Sequence, residues 1–339
     1  MTSRTIQIQT GSRLHFGLIL GDESSGWIFG GVGLMLERPG WHVQLQPQTS
    51  STAASVQSDD VVLGTDEAAL RVRKLLGRLR AAMPDLPCLH VQLSAEVPFH
   101  TGLGAGTQLD LGIAAACRWM CRQQTHQSPL ELAVAAGRAE RSAIGTWGFD
   151  HGGFLVDYGA GVGGAERVRR LALPDDWRIV LVRPRATQGL SGAAESAWFG
   201  TRPRMTATLV QQLADIISRQ LQPAIELGRF QNFAAALQQY GDAAGQFYAG
   251  QQGHVFADQR IRQLVAALRQ QGVTGAAQSS WGPGIGIPAE SSAHASRIET
   301  QIAELDRDGE LLVSTSAPLN CGATISQPAA EYRWDTRIV

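Results

Sequence analysis

The chain has 339 residues, 44% apolar and 17% charged, with a formal net charge of −1. That length predicts two domains rather than one core, and the composition excludes a disordered chain. The balanced charge excludes a whole-protein field that would gather nucleic acid or an anionic membrane, and no apolar run reaches the roughly 18–20 residues of a spanning helix.

The first third reads as short strands around one helix. TIQIQT, the stretch around RLHFGLIL, HVQLQP and CLHVQLSAEVP carry β-branched or alternating patterns. Leucine and alanine at helical spacing predict a helix over 64–83. Thr107 is placed to cap a helix from Gln108 to about Gln124, with Asp110 three residues on as a variant capping box. Ser128 followed by Pro129 predicts another helix start at SPLELAVAAGRAERSAIG. DWRIVLVRP then reads as a buried strand, followed by several helices between 190 and 271. A strand is expected through GVTGAAQSSW, a helix over SSAHASRIETQIAEL and a strand at GELLVSTSA, with the last residues as a tail. Strands and helices without regular alternation predict an α+β protein of two lobes.

The four cysteines are too few for a disulfide scaffold, and with no secretion signal they are expected to be reduced thiols in the cytoplasm. Cys117 and Cys121 share a helical face and read as small buried residues rather than half of a metal site. Lys74 is the only lysine and lies on a basic, solvated helix face. A Walker-type phosphate loop and Schiff-base chemistry both need a lysine elsewhere, so any anion must be held by arginine and backbone amides.

One stretch invites an anion. In VPFHTGLGAGTQLDLGI, residues 97–113, Gly102, Gly104 and Gly106 let backbone N–H groups converge where a helix begins. The pattern lacks the third glycine and the later acid of a dinucleotide-binding fingerprint. Alone, it fits a glycine turn joining strand to packed helix equally well.

Its company decides the reading. Pro98, Gly102, Leu103 and Gly104, with GVTGAAQSSWGPGIG at 272–286, resemble the second and third motifs of the GHMP kinase superfamily. More narrowly, SRLHFGL (12–18), GGVGLMLE (30–37), GLGAGTQL (102–109), RSAIGTWGFDHGGFLVDYG (141–159) and QSSWGPG (278–284) resemble β-ribofuranosylaminobenzene 5′-phosphate synthases, a non-kinase branch of that fold. The resemblance implies an N-terminal lobe over 1–170 with a left-handed βαβ crossover, a ferredoxin-like C-terminal lobe over 171–325, a tail over 326–339 and a homodimer. It also implies a pentosyl transfer in methanopterin biosynthesis. Phosphoribosyl pyrophosphate would be joined to 4-aminobenzoate or 4-hydroxybenzoate, releasing CO2 and pyrophosphate, with Mg2+ carried mainly by the pyrophosphate. An ATP-dependent small-molecule kinase and a non-catalytic binder of a phosphorylated ligand are the competing readings. Ala105, Gly106, Thr107 and Gln108 stand where the kinases carry serines, which weighs against ATP.

The resemblance assigns residues. Arg13 stands at the place of the kinase lysine; His15 shares its strand face. The loop residues Gly102, Leu103, Gly104, Ala105, Gly106, Thr107 and Gln108 would hold the pyrophosphate. Asp150 matches the superfamily's catalytic aspartate, in what reads as a turn, with His151 beside it. Asp157 is expected to end a strand. Arg141, Ser142 and Thr146 are expected near the 5′-phosphate, and Arg183 and Arg185 are a second phosphate candidate. Ser279, Ser280 and Trp281 would line the cleft, the indole against the benzoate ring. Each has a bland counterpart: a structural ion pair for Arg13, a core residue for His15 and Trp281, a turn cap for Asp150.

Overall fold

A computed structural model describes residues 5–48, 59–121, 128–138, 142–159, 167–186, 197–201, 203–327 and 330–332. Two sheets carry it. The two strands expected over the first twenty residues form one continuous strand, β1 (Ile6–Leu20), paired antiparallel with the longer β2 (Ile28–Pro47). Gly11 permits this continuity: the register shifts between Thr10 and Ser12, and a Cβ at Gly11 would lie 2.0 Å from the Leu36 carbonyl oxygen. Then come β3 (Val61–Leu63), α1 (Asp66–Ala82), β4 (Leu89–Ala95) and α2 (Ala105–Met120), with β3 parallel to β4 across α1. The second half of β2 pairs with β4, while its first half pairs with β5 (Phe154–Asp157), which in turn pairs with β6 (Val168–Leu171).

The helix expected from Ser128 through 145 is divided. Ser128 and Glu131 form a full capping box, but α3 covers only Pro129–Ala135 and stops before Gly137, whose φ of 69° leaves the helical region. A separate helix, α4 (Ile144–His151), follows. It ends at Gly152, again at positive φ, so the GFDHGG segment is a helical turn and cap rather than an extended stretch.

The second sheet consists of β7 (Arg178–Pro184), β8 (Ala277–Gln278), β9 (Ile285–Ala289) and β10 (Leu311–Ser316), in the order β10-β7-β9-β8. In that lobe's own numbering this is fourth-first-third-second, the ferredoxin-like order. The strand expected through GVTGAAQSSW shrinks to two residues, because its remainder turns back to meet the glycine loop. Helices α5 (Ala207–Ile216), α6 (Gln222–Glu226), α7 (Phe230–Gln252), α8 (Gln259–Gln270) and α9 (Ser292–Leu305) complete the lobe, with a π-helical turn over Ile217–Leu221 joining α5 to α6.

The uninterrupted apolar run of β7 has two audiences. Ile179 and Leu181 join the large core shared with the first sheet, while Val180 and Val182 pack with Ile261, Val265 and Ile298 of α8 and α9. Helix α7 ties the lobes: Tyr240 and Tyr248 donate through their hydroxyls to the carbonyls of Gly17 and Leu18, each at 3.0 Å. The expected tail needs correction, because β11 (Thr324–Gln327) returns to pair with β1 and β12 (Ala330–Tyr332) pairs with β11. Residues 324–327 and 330–332 therefore belong to the first sheet. Among the described residues no helix is long and apolar enough to cross a membrane.

Candidate active site

The glycine loop is held from both sides by backbone. Arg13 donates its amide to the Leu103 carbonyl at 2.9 Å, which fixes the loop against β1. On the other side the 279–284 loop docks without side-chain clearance: a Cβ at Gly102 would lie 2.4 Å from the Ser279 carbonyl, and one at Gly282 would lie 2.5 Å from the Gly102 amide nitrogen. Ser279 is fully buried at this seam. Its hydroxyl accepts from the His15 amide at 3.0 Å and donates to the Gly102 carbonyl at 2.6 Å. Sequence reasoning placed Ser279 on the cleft wall; it is instead the pin that joins β1, the glycine loop and the 279–284 loop.

Helix α2 begins three residues earlier than expected, and its cap is Gly104, not Thr107. Gly104 is left-handed at φ 68°, so only glycine turns the chain there without strain. The amides of Ala105 and Gly106 belong to the first turn of α2, where backbone donors have no partner within the helix. Trp41 anchors that turn by donating its indole N–H to the Ala105 carbonyl at 3.0 Å. Leu103 is buried, and Gln108 is wholly buried, donating to the Gly145 carbonyl at 2.8 Å and accepting from the Thr10 hydroxyl. Gln108 thus ties α2 to α4, a placement at odds with phosphate binding. Thr107 lies against Gly145.

Asp110 does not cap α2. Its buried carboxylate takes a bidentate pair from Arg71 at 2.8 and 2.7 Å and a further pair from Arg138. Burial pushes this carboxyl up to about 6, against the pull of Arg71. Both guanidinium groups lie over Gly106, where a Cβ would sit 2.8 Å from the Arg71 guanidinium carbon and 2.9 Å from Arg138 Nη2. Sequence reading missed this cluster, because its partners are 28 and 39 positions apart and Arg71 looked like part of a solvated face. The signal that could have found it is Gly106, a glycine inside a helix with no turn to make.

Arg13 and His15 do share a face, and they converge on Ser280. Arg13 Nη1 donates to Ser280 Oγ at 3.2 Å, and His15 Nδ1 lies 3.4 Å from the same oxygen. His15 Nε2 is 3.3 Å from Ser142 Oγ, which accepts from the Ile144 amide at the start of α4. The Ser280 amide donates to the His15 carbonyl at 2.7 Å, and Ser280 holds a left-handed φ of 52° to do so. Arg13 also packs beside Gly104 and Gly145. One corner therefore gathers a guanidinium, two hydroxyls, an imidazole and the start of α2. Burial, reinforced by the Arg13 charge, drives the His15 pKa well below its usual value, so the ring is neutral at pH 7.

Behind Ser280 a narrow cavity opens between β1 and α7. Gly17, Ala244 and Tyr248 form its walls, with His15, Ser280 and Trp281 at the end nearest Arg13. Trp281 is almost buried in a cluster of edge-on rings with Trp198, Phe199 and Tyr248. It acts as a wall residue whose position the other rings fix.

Asp150 stands apart from this corner. It occupies the last turn of α4, five residues beyond Gly145, about 7–8 Å along the axis. Its carboxylate lies 3.1 Å from His151 Nδ1, and His151 stacks on Trp147 with centroids 5.4 Å apart. Asp157 ends β5, as expected, and is a fully buried support: it accepts from the Ala143 and Gly159 amides and pairs with Arg167 at 2.9 Å. Thr146 is buried in α4. Arg141 lies outside the described residues. Arg183 faces a different groove on the far side of the glycine loop, and Arg185 donates to the Gly309 carbonyl.

No family model matches the chain. Solved structures do. The chain superposes on mevalonate diphosphate decarboxylase from Staphylococcus aureus with a TM-score of 0.63 and 15% identity, over 96% of this chain and 98% of that one. A homoserine kinase from Cytophaga hutchinsonii gives 0.59 and 15%, over 95% and 97%. These establish the fold: this is a GHMP kinase-fold protein. Sequence similarity narrows it further. A beta-ribofuranosylphenol 5′-phosphate synthase from Methanothermobacter thermautotrophicus is 26% identical over 330 residues, 91% of this chain and 95% of the relative. One of the same name from Archaeoglobus fulgidus is 27% identical over 247 residues, 68% and 74%. Over nearly its whole length the chain is thus similar to enzymes of that name.

Proposed function

We propose that the chain is a pentosyltransferase that joins phosphoribosyl pyrophosphate to 4-hydroxybenzoate or 4-aminobenzoate, releasing pyrophosphate and CO2. The observation that carries the reading is the adjacency of two unlike spaces. Arg13 and the first turn of α2 form a cationic corner with no lysine, and a cavity of mixed polar and apolar lining opens next to it behind Ser280.

The chemistry suits that arrangement. The ring carbon bearing the carboxylate attacks the anomeric carbon; the C–O bond to pyrophosphate breaks and its electron pair leaves with the anion. The ring then expels CO2, and the freed C–C electron pair restores aromaticity, so no base need remove a ring proton. Donors aimed at the departing diphosphate lower this barrier most, and Arg13 supplies a planar fork for it. A flat ring enters the cavity between Ala244 and Trp281, with its neutral para substituent innermost and its carboxylate toward Arg13. Neutral His15 holds Ser280 and Ser142 in place without adding charge. Asp150, at the other end of α4 and outside the lining of this cavity, is assigned to the ribosyl side, where its carboxylate would steady positive charge at the anomeric carbon.

Magnesium would arrive with the diphosphate, because among the described residues no three carboxylate, imidazole or thiol groups converge. It would neutralise the leaving anion. The relatives' name denotes a phenol, which is what 4-hydroxybenzoate rather than 4-aminobenzoate would yield.

The test is product analysis by mass spectrometry after incubation with phosphoribosyl pyrophosphate, Mg2+ and each benzoate, beside a parallel incubation with ATP in place of the ribosyl donor. A ribosylated, decarboxylated ring in the first and no phosphorylated product in the second is the expected result. No product with either benzoate would sink the reading.

A further inference from the structure

The glycine loop has a second face. Opposite the Arg13 corner, a groove of about 1110 Å³, including its open mouth, runs between the two lobes. The seam of Gly102, Ser279 and Gly282 separates it from His15 and Ser280, so it is not an extension of the site above. Its floor is aliphatic, from Leu14, Leu103, Leu181, Ile285 and Leu312. Its polar lining is unusual in sign.

Two arginines, Arg38 and Arg183, line this groove, and neither guanidinium has a carboxylate or hydrogen-bond partner among the described residues. Arg183 follows Leu181 on the face of β7 that looks toward the first sheet, opposite Leu312 of β10. It is half-buried, and burial together with the nearby Arg185 pushes its pKa down. Arg185 brings no acid, since it donates to the Gly309 carbonyl. The one acid on the wall, Glu96, is already engaged: its two oxygens accept from the Thr65 amide at 2.9 Å and the Thr65 hydroxyl at 2.8 Å. A half-buried arginine that makes no ion pair among the described residues favours an anionic ligand.

We propose that this groove binds an organic carboxylate with a flat or aliphatic body, its carboxylate gripped by Arg183 and Arg38 and its body laid on the Leu103–Leu181–Leu312 floor. Arginine forks match carboxylates through paired N–H bonds, and the aliphatic floor favours an organic anion over bare phosphate. Thr101 and Leu103 form part of the wall, so an occupant touches the back of the phosphate-holding loop. The site stands on these residues alone and does not depend on the ribosyl-transfer reading.

The experiment is calorimetric titration of the full chain with 2-naphthoate, a carboxylate with a flat apolar body, and with inorganic phosphate for comparison. Wild type is expected to bind naphthoate at least 10-fold tighter than phosphate. In an Arg13→Met background, which removes the arginine facing the benzoate cavity, naphthoate should still bind, and adding Arg183→Met or Arg38→Met should weaken it at least 10-fold. Because methionine replaces an unpaired cation on an apolar floor, the thermal midpoint of Arg183→Met should equal or exceed that of wild type. Absence of binding, loss of binding in Arg13→Met instead, or a lowered midpoint in Arg183→Met would each overturn the proposal.

Discussion

The two ends of α4 face opposite charges. At its start, Gly145 lets Arg13 and Thr107 close in, and Gln108, Ser142 and Asp157 all bond to backbone there. Every group in that corner is fixed by another chain segment. At its end, Asp150 leans on its neighbour His151, which rests on Trp147 one turn back in the same helix. The first end is suited to hold a charge in a set geometry. The second is braced by another segment, where the Phe149 carbonyl accepts from the Ala323 amide at 2.7 Å and Gly152 lies against Cys321. A cationic corner and a carboxylate are thus held at the two ends of one eight-residue helix.

Substitutions can break this comparison or sharpen it. Arg13→Ala should have the largest effect, lowering kcat/KM about 10³-fold, the scale of removing a principal transition-state donor. Asp150→Asn should lower kcat about 10²-fold with little change in the KM for phosphoribosyl pyrophosphate, as measured by steady-state kinetics. If Asp150→Asn instead raises that KM and spares kcat, the two ends of α4 share one task and the division is wrong. Ala244→Leu, which fills the cavity beside Gly17, should raise the KM for the benzoate about 10-fold while leaving that for the ribosyl donor within 2-fold.

The smallest effect concerns stability. His15 is neutral when folded, with its pKa held down by burial, whereas the unfolded chain binds a proton near pH 6.5. Below that pH the unfolded state holds more protons, so stability falls on acidification by up to about 1.4 kcal/mol per pH unit. Urea midpoints at pH 7.5 and 5.5 should reveal the slope in wild type and a flatter one in His15→Gln. An equal slope in both would mean that His15 is protonated in the folded protein.

Legibility in the sequence followed the range of the interactions. Strand periodicity put Arg13 and His15 on one face, and Ser128–Pro129 marked a true helix start, because both signals are local. The glycine loop was visible as a junction, yet its cap was misplaced by three residues: a left-handed Gly104 starts α2, and a threonine in the right neighbourhood is a weaker cue than a glycine that must turn. Asp150 was placed in a turn because its flanking glycines hide the fact that Gly152 is a helix stop. Ser279 with Gly102 and His15 could not be read at all, and Asp110 with Arg71 and Arg138 left only the in-helix Gly106 as a trace. Their partners lie 28 to 264 positions away, and no local pattern pairs them. Trp281 was legible as an aromatic wall but not as one member of a ring cluster that leaves it nearly buried.

The most direct test of the ribosyl-transfer account is a stoichiometry. With carboxyl-labelled 4-hydroxybenzoate, phosphoribosyl pyrophosphate and Mg2+, labelled CO2 and pyrophosphate should appear together in a 1:1 ratio, and both should fall about 10³-fold in Arg13→Ala. Pyrophosphate released without labelled CO2 would contradict it, because the bond at the anomeric carbon would then not be made by the ring carbon that loses the carboxylate.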